Sequence, residues 1–233
     1  MVYSLVVAYI QDLREGDEAS KLAAARELGS LVCRNDSNRA MIGALGGVPP
    51  LVQFLRDGSA DAKAWPAWAL WKLAYMNDSN ALAIAEAGGI PLLVELLRDG
   101  SPDAKQTAAG ALGDLARLHA NKVAEAGGMP PLVELLCNGN PGAKWEAARS
   151  LGCLAWNNDA NKVLIIEAGG IPLLVERVRD ADIHVSERAA QALRILARDN
   201  DANAVAIAAV VSSDALVELA RRGRVTWKGY IPT

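Results

Sequence analysis

Hydrophobic positions recur in this chain on two scales. Locally, Leu92-Leu-Val-Glu-Leu-Leu97 and the pair Leu70 and Leu73 fit the 3.6-residue period of amphipathic helices. Over longer distances, Leu28, Leu70, Leu112, Leu151 and Leu193 return at intervals of 42, 42, 39 and 42 residues. A breaker keeps the same time. Gly46-Gly47, Gly88-Gly89, Gly127-Gly128 and Gly169-Gly170 are spaced 42, 39 and 42 residues apart, and each is followed by an apolar residue and proline. Two independent markers share one three-residue shortfall, so the chain is a tandem array of helical repeats.

Each repeat reads as three helices. The first is short, as in Ala81-Leu-Ala-Ile-Ala-Glu-Ala87, and Gly88 stops it by taking the left-handed conformation. Gly89 allows a close backbone turn, and Pro91 falls in the first turn of the second helix, where a missing N–H costs nothing. The third helix is expected to start at a short polar cap in every repeat: Asp17, Ser59, Ser101, Asn140 and Asp182. Pro66, inside the third helix of its repeat, reads either as tolerated or as a kink that tilts the helix. The recurring Asn38, Asn80, Asn121, Asn161 and Asn203 sit at the first helices, where they are expected to bind backbone groups.

Counting by repeats divides the chain into 1–34 (lacking a first helix), 35–76, 77–118, a shortened 119–157, 158–199, a partial 200–221 and a tail 222–233. The apolar start, Met1 to Ile10, resembles a signal peptide only superficially; it matches the second helix of a repeat. Leu5, Val7, Tyr9 and Ile10 then lack a preceding neighbour, which suggests a longer array or end-to-end self-association. At the other end Arg221-Arg-Gly-Arg224 with Trp227 and Tyr230 reads as a folded-back cap or a small basic contact.

Composition narrows the function. Hydrophobic residues make up 52% and the net charge is −3, which disfavours nucleic acid as the partner. No apolar run reaches the ~18 residues of a membrane span. Three scattered cysteines and two histidines give neither a thiolate metal site nor acid–base chemistry, so no cofactor, no metal and no small-molecule substrate are expected. There is no phosphate loop and no nucleophile–base constellation, and the chain is not expected to be an enzyme. A reducing compartment, cytoplasmic or nuclear, fits the free cysteines.

The segments Glu-Ala-Gly-Gly-Ile-Pro-Leu-Leu-Val-Glu (86–95) and Ala-Ala-Gly-Ala-Leu-Gly-Asp-Leu-Ala (108–116) resemble the armadillo repeat, in the Gly-Gly-Ile-Pro variety of plant and algal adaptor proteins. The resemblance covers roughly residues 2–221. It implies an all-α, right-handed α-solenoid whose third helices line a concave groove for an extended peptide. It further implies a non-enzymatic scaffold or adaptor; the alternative is the substrate-recognition arm of a larger protein such as a ubiquitin ligase.

A helical wheel at ~100° per residue places the candidate site without the family. Leu70 and Leu73 point to the core, whereas Trp68, Trp71 and Tyr75 point away from it, as do Trp145 and Trp156 in their repeat; Trp65 sits on the flank. These rings either cover one another and neighbouring helices or form a binding strip. Gly110 and Gly113 occupy the places of Trp68 and Trp71 in the next repeat, at a helix-propensity cost of ~1 kcal/mol each. They are expected to open a recess rimmed by Asp114 that takes a Lys or Arg side chain, unless a neighbouring Trp lies over them. Lys72 and Arg149 complete the strip. Importin-type relatives hold nuclear-localisation peptides with repeated Trp and Asn. Here the Trp places read Arg26, Trp68, Gly110, Arg149 and Gln191, and no Asn occupies the second set, which disfavours that cargo.

Overall fold

The computed structural model describes residues 2–210, and every regular element among them is a helix. They run α1 (Val2–Glu15), α2 (Glu18–Arg34), α3 (Asp36–Ala44), α4 (Val48–Asp57), α5 (Ala64–Ala74), α6 (Asp78–Glu86), α7 (Gly89–Asp99), α8 (Pro102–Glu125), α9 (Met129–Asn138), α10 (Pro141–Ala155), α11 (Asp159–Glu167), α12 (Gly170–Arg177), α13 (Ile183–Ala197) and α14 (Asp201–Val210). They form two compact bodies, Met1–Ala126 and Gly127–Thr233. The second helix of the last partial repeat and the basic, aromatic tail lie outside the described residues.

In the first body the third helices α2, α5 and α8 pack in a row; in the second, α10 packs on α13. Each core is built from their leucine stripe. Leu28, Leu70, Leu73, Leu112 and Leu115 are fully buried in one body, and Leu151, Leu154, Leu193 and Leu196 in the other. Burial of each such side chain is worth ~1.5–3 kcal/mol.

The turn glycines behave as their positions demand. Gly46, Gly88, Gly127 and Gly169 all have φ between 74° and 78°. A Cβ on the following Gly89 would lie 2.7 Å from the Ile84 side chain, so the second glycine is required by close approach. Four of the five expected caps form: Asp17, Ser101, Asn140 and Asp182 each accept a backbone N–H of the first turn. Ser59 does not. Residues 60–63 form a turn, α5 starts at Ala64, and Lys63 stands at its N-cap without a side-chain bond. Pro66 is the physical reason, because its ring cannot donate to the carbonyl four residues back. The proline therefore sits in the first turn of a shortened helix rather than kinking a longer one.

Four of the five recurring asparagines bind backbone, as expected. The side-chain amides of Asn38, Asn80, Asn161 and Asn203 each donate to the carbonyl seven residues earlier, on Leu31, Leu73, Leu154 and Leu196, at 2.9–3.0 Å. Asn80 also donates to the Arg39 carbonyl of the preceding repeat at 3.0 Å. Asn35, Asn77, Asn158 and Asn200 form a second set, accepting a backbone N–H at the first-helix starts.

The shortened repeat departs from this pattern. The three missing residues fuse the third helix of one repeat and the first helix of the next into α8, which bends at His119 (φ −129°, ψ 29°). Counted back from the glycine pair, His119 holds the place that Asn80 and Asn161 hold in their repeats; Asn121 is displaced and exposed. The His119 ring lies against the backbone of Ala81, the repeat counterpart of Arg39, and its Nε2 is buried with no hydrogen-bond partner among the described residues. Burial, then the neighbouring Lys122, push its pKa below the ordinary 6.5; the Ala81 backbone and Glu86 oppose the shift.

Candidate functional site

The outward side of α5 carries the aromatic strip of the first body. Trp65 and Trp68 meet edge to face, with centroids 5.7 Å apart at 88°, a favoured aromatic geometry. Trp68 and Trp71 are half-buried, while Trp65 and Tyr75 are 37% and 49% exposed. The two inner indoles lean on neighbouring third helices. Trp68 covers Gly29 of α2, and Trp71 covers Gly110 of α8, where a Cβ would lie 2.6 Å from its ring.

The expected recess at Gly110 and Gly113 is therefore occupied. Both glycines are buried, and it is the chain's own Trp71 that fills the space over Gly110. The Trp71 indole N–H donates to Asp114 Oδ2 at 2.9 Å, so the carboxylate expected to receive a guest cation is engaged by the ring. A cation is also already in place, because Lys72 Nζ lies 3.7 Å from the Trp71 centroid. Arg39 stands 5.4 Å from the Tyr75 ring and donates through Nε to the Lys72 carbonyl at 2.9 Å.

The second body repeats the theme on α10 and α13. Trp145 is half-buried between two guanidinium groups, Arg149 at 5.8 Å and Arg188 at 5.0 Å from its centroid. Trp156 is 48% exposed and carries Arg198 at 4.9 Å. Arg149 Nε donates to Glu146 Oε2 at 2.9 Å, and that carboxylate is buried. Gly152 stands where the first body has Trp71; a Cβ there would make ordinary contact with Ile195.

The structure thus groups Trp65, Trp68, Trp71, Lys72, Tyr75, Gly110 and Asp114 in one body, and Trp145 with Arg149 in the other. Sequence reasoning missed Arg39, Arg188 and Arg198. The last two had a signal: they fall at the repeat positions of Trp65 and Tyr75. Among the described residues, no three side chains of His, Cys, Asp and Glu gather as metal ligands, and no single helix is long and apolar enough to cross a membrane.

Comparison with known proteins agrees with this architecture. Residues 77–117 and 158–198 match the family model described as Armadillo/beta-catenin-like repeat. An engineered protein of known crystal structure is 29% identical, with a TM-score of 0.85 over 92% of this chain and 90% of its own. A designed armadillo repeat protein in complex with the peptide (KR)4 is 26% identical, with a TM-score of 0.82 over 96% and 94%. A structure of computationally designed armadillo repeat proteins for modular peptide recognition is 25% identical, with a TM-score of 0.85 over 94% and 93%. No curated protein matches the chain in sequence. Residues 77–117 and 158–198 are similar to armadillo repeats, and the chain has the all-helical armadillo fold.

Proposed function

We propose that the chain is a non-enzymatic scaffold that binds extended peptide segments on the outward faces of its third helices. The observation that carries this reading is the set of solvent-reaching rings, Trp65, Tyr75 and Trp156, placed opposite the buried leucine stripe. Indoles left wet on a rigid helix are costly, and tryptophan, tyrosine and arginine dominate binding energy at interfaces. The designed armadillo protein that holds (KR)4 supports a peptide as the kind of ligand. The Gly-Gly-apolar-Pro turns favour the plant and algal adaptor variety, with the chain joining one protein to another.

Selection from a displayed library of random 12-residue peptides tests the proposal. Enriched peptides should bind the wild-type chain and lose at least about tenfold affinity with Trp65→Ala or Trp156→Ala, the scale of an aromatic anchor. Failure to enrich any peptide, or full binding by both variants, would reject it.

A further inference from the structure

The aromatic faces of the second body are not vacant. Arg149 and Arg188 lie over Trp145, and Arg198 lies over Trp156. A guest Lys or Arg seeking the same rings would have to displace these cations or lie beside them, where like charges repel. Guanidinium behaves differently toward an acid. Held by its flat face against a ring, it keeps its in-plane N–H fork for a carboxylate, already ordered and weakly hydrated.

The three arginines are not equivalent. Arg149 is bound to the buried Glu146 and so belongs to the frame. Arg188 donates to the neutral Gln191 at 2.8 Å, and no ion pair is seen for it among the described residues. Arg198 is half-exposed and lies 3.4 Å from Asp199, whose side chain is 86% exposed, a loose surface pair that contributes little and can be exchanged. Arg194 falls on the same stripe of the helical wheel and is half-buried, and Glu187 near the start of α13 is exposed. Arg188 on α13 and Arg198, the residue that caps its C-terminus, are ten residues apart, about 15 Å of chain if counted as helix. Four or five residues of extended chain span that distance at ~3.3 Å each.

We infer, on the basis of the peptide-binding reading above, that the face formed by α10 and α13 selects an acidic segment. Arg188 and Arg198, braced on Trp145 and Trp156, receive Asp or Glu side chains spaced about four residues apart. Lysine- and arginine-rich segments are rejected by the same cations. The outward face is thus set for a charge of the same sign as the chain's own net charge of −3.

The library selection separates this inference from the reading it rests on. Enriched sequences should be rich in Asp and Glu. Three labelled 12-residue peptides, differing only in whether two positions four apart are Glu, Gln or Lys, should then bind in that order in fluorescence anisotropy. The Glu peptide should lose at least about tenfold affinity with Arg188→Gln/Arg198→Gln, and Arg188→Lys should restore part of the charge but not the fork. Matching thermal melts would show that the variants fold. Enrichment of neutral or basic peptides, or equal binding of all three probes, overturns the acidic preference and leaves peptide binding standing. Binding of heparin or single-stranded DNA as tightly as the Glu peptide also overturns it, because a general polyanion surface would suffice. An empty selection removes both.

Discussion

The indole of Trp71 occupies the space that a Cβ on Gly110 would need, 2.6 Å from its ring atoms, although the two residues belong to different repeats. Glycine in a helix interior is disfavoured by about 1 kcal/mol relative to alanine. At this position the ring, fixed by its bond to Asp114, makes the glycine necessary. Gly110→Ala should therefore destabilise the chain by about 1–2 kcal/mol in urea unfolding, despite the better helix propensity. In a Trp71→Ala background the same change should stabilise by up to about 1 kcal/mol. Destabilisation of equal size in both backgrounds would contradict the contact.

Asn80 joins two carbonyls, Leu73 near the end of α5 and Arg39 in the preceding repeat. It is 3% exposed, so water does not replace the lost bonds easily. Asn80→Ala should cost about 2–3 kcal/mol, and Asn38→Ala, half-buried with one such bond, nearer 1 kcal/mol. Equal losses measured by denaturant midpoint would argue that the bonds themselves are not what holds the repeats.

Arg149 and Arg188 flank one ring but should respond differently to substitution. The Glu146 carboxylate that Arg149 bonds has a side chain only 4% exposed, so removing the guanidinium takes a charge-assisted bond from a buried group. Arg149→Gln should cost at least about 1.5 kcal/mol. Arg188→Gln should leave the melting temperature nearly unchanged, because its described hydrogen bond goes to a neutral amide. Thermal melts of the two variants side by side give the comparison.

His119 titrates below its ordinary value in the folded chain, so the unfolded chain binds the proton first as pH falls. The sign follows directly: the stability contributed by its neutral form is complete above about pH 6.5 and is lost as pH drops below it toward the folded-state value. His119→Asn, which installs the side chain that the other repeats carry there, should flatten the pH dependence of the melting temperature between pH 7 and 5. An unchanged slope would assign the dependence to other groups.

The repeats, their glycine turns, four caps and the backbone role of the asparagines were legible because each depends on residues close in sequence. The helical wheel separates the aromatic residues from the buried leucine stripe, since that follows from helix geometry alone. The sequence leaves open that a neighbouring Trp lies over Gly110, as Trp71 does, but not that Trp71 also bonds Asp114 or that Trp68 leans on Gly29, contacts made across repeats. From the sequence Pro66 falls inside a helix that Ser59 is fit to cap; in the structure the helix starts later, at Ala64. His119 was hidden by the shortfall, since counting forward from the leucines lands near Asn121 and only counting back from the glycines lands on the histidine. Arg149 is legible in the sequence as part of the strip, but Arg188 and Arg198 are not, because a sequence shows charge but not what the charge rests on.

The seam at His119 also alters how the first body can come apart. Elsewhere Met76, Asn157 and Asp199 take positive φ between one repeat and the next, and at such breaks a helix can fray without disturbing its predecessor. Between Arg117 and Lys122 the break narrows to one residue, His119, whose φ and ψ leave the helical range while the chain on either side stays helical. Fraying that begins at Val123 has only that bend to stop it, so amide protons on the two sides of His119 should exchange at more similar rates than those on the two sides of residues 75–77.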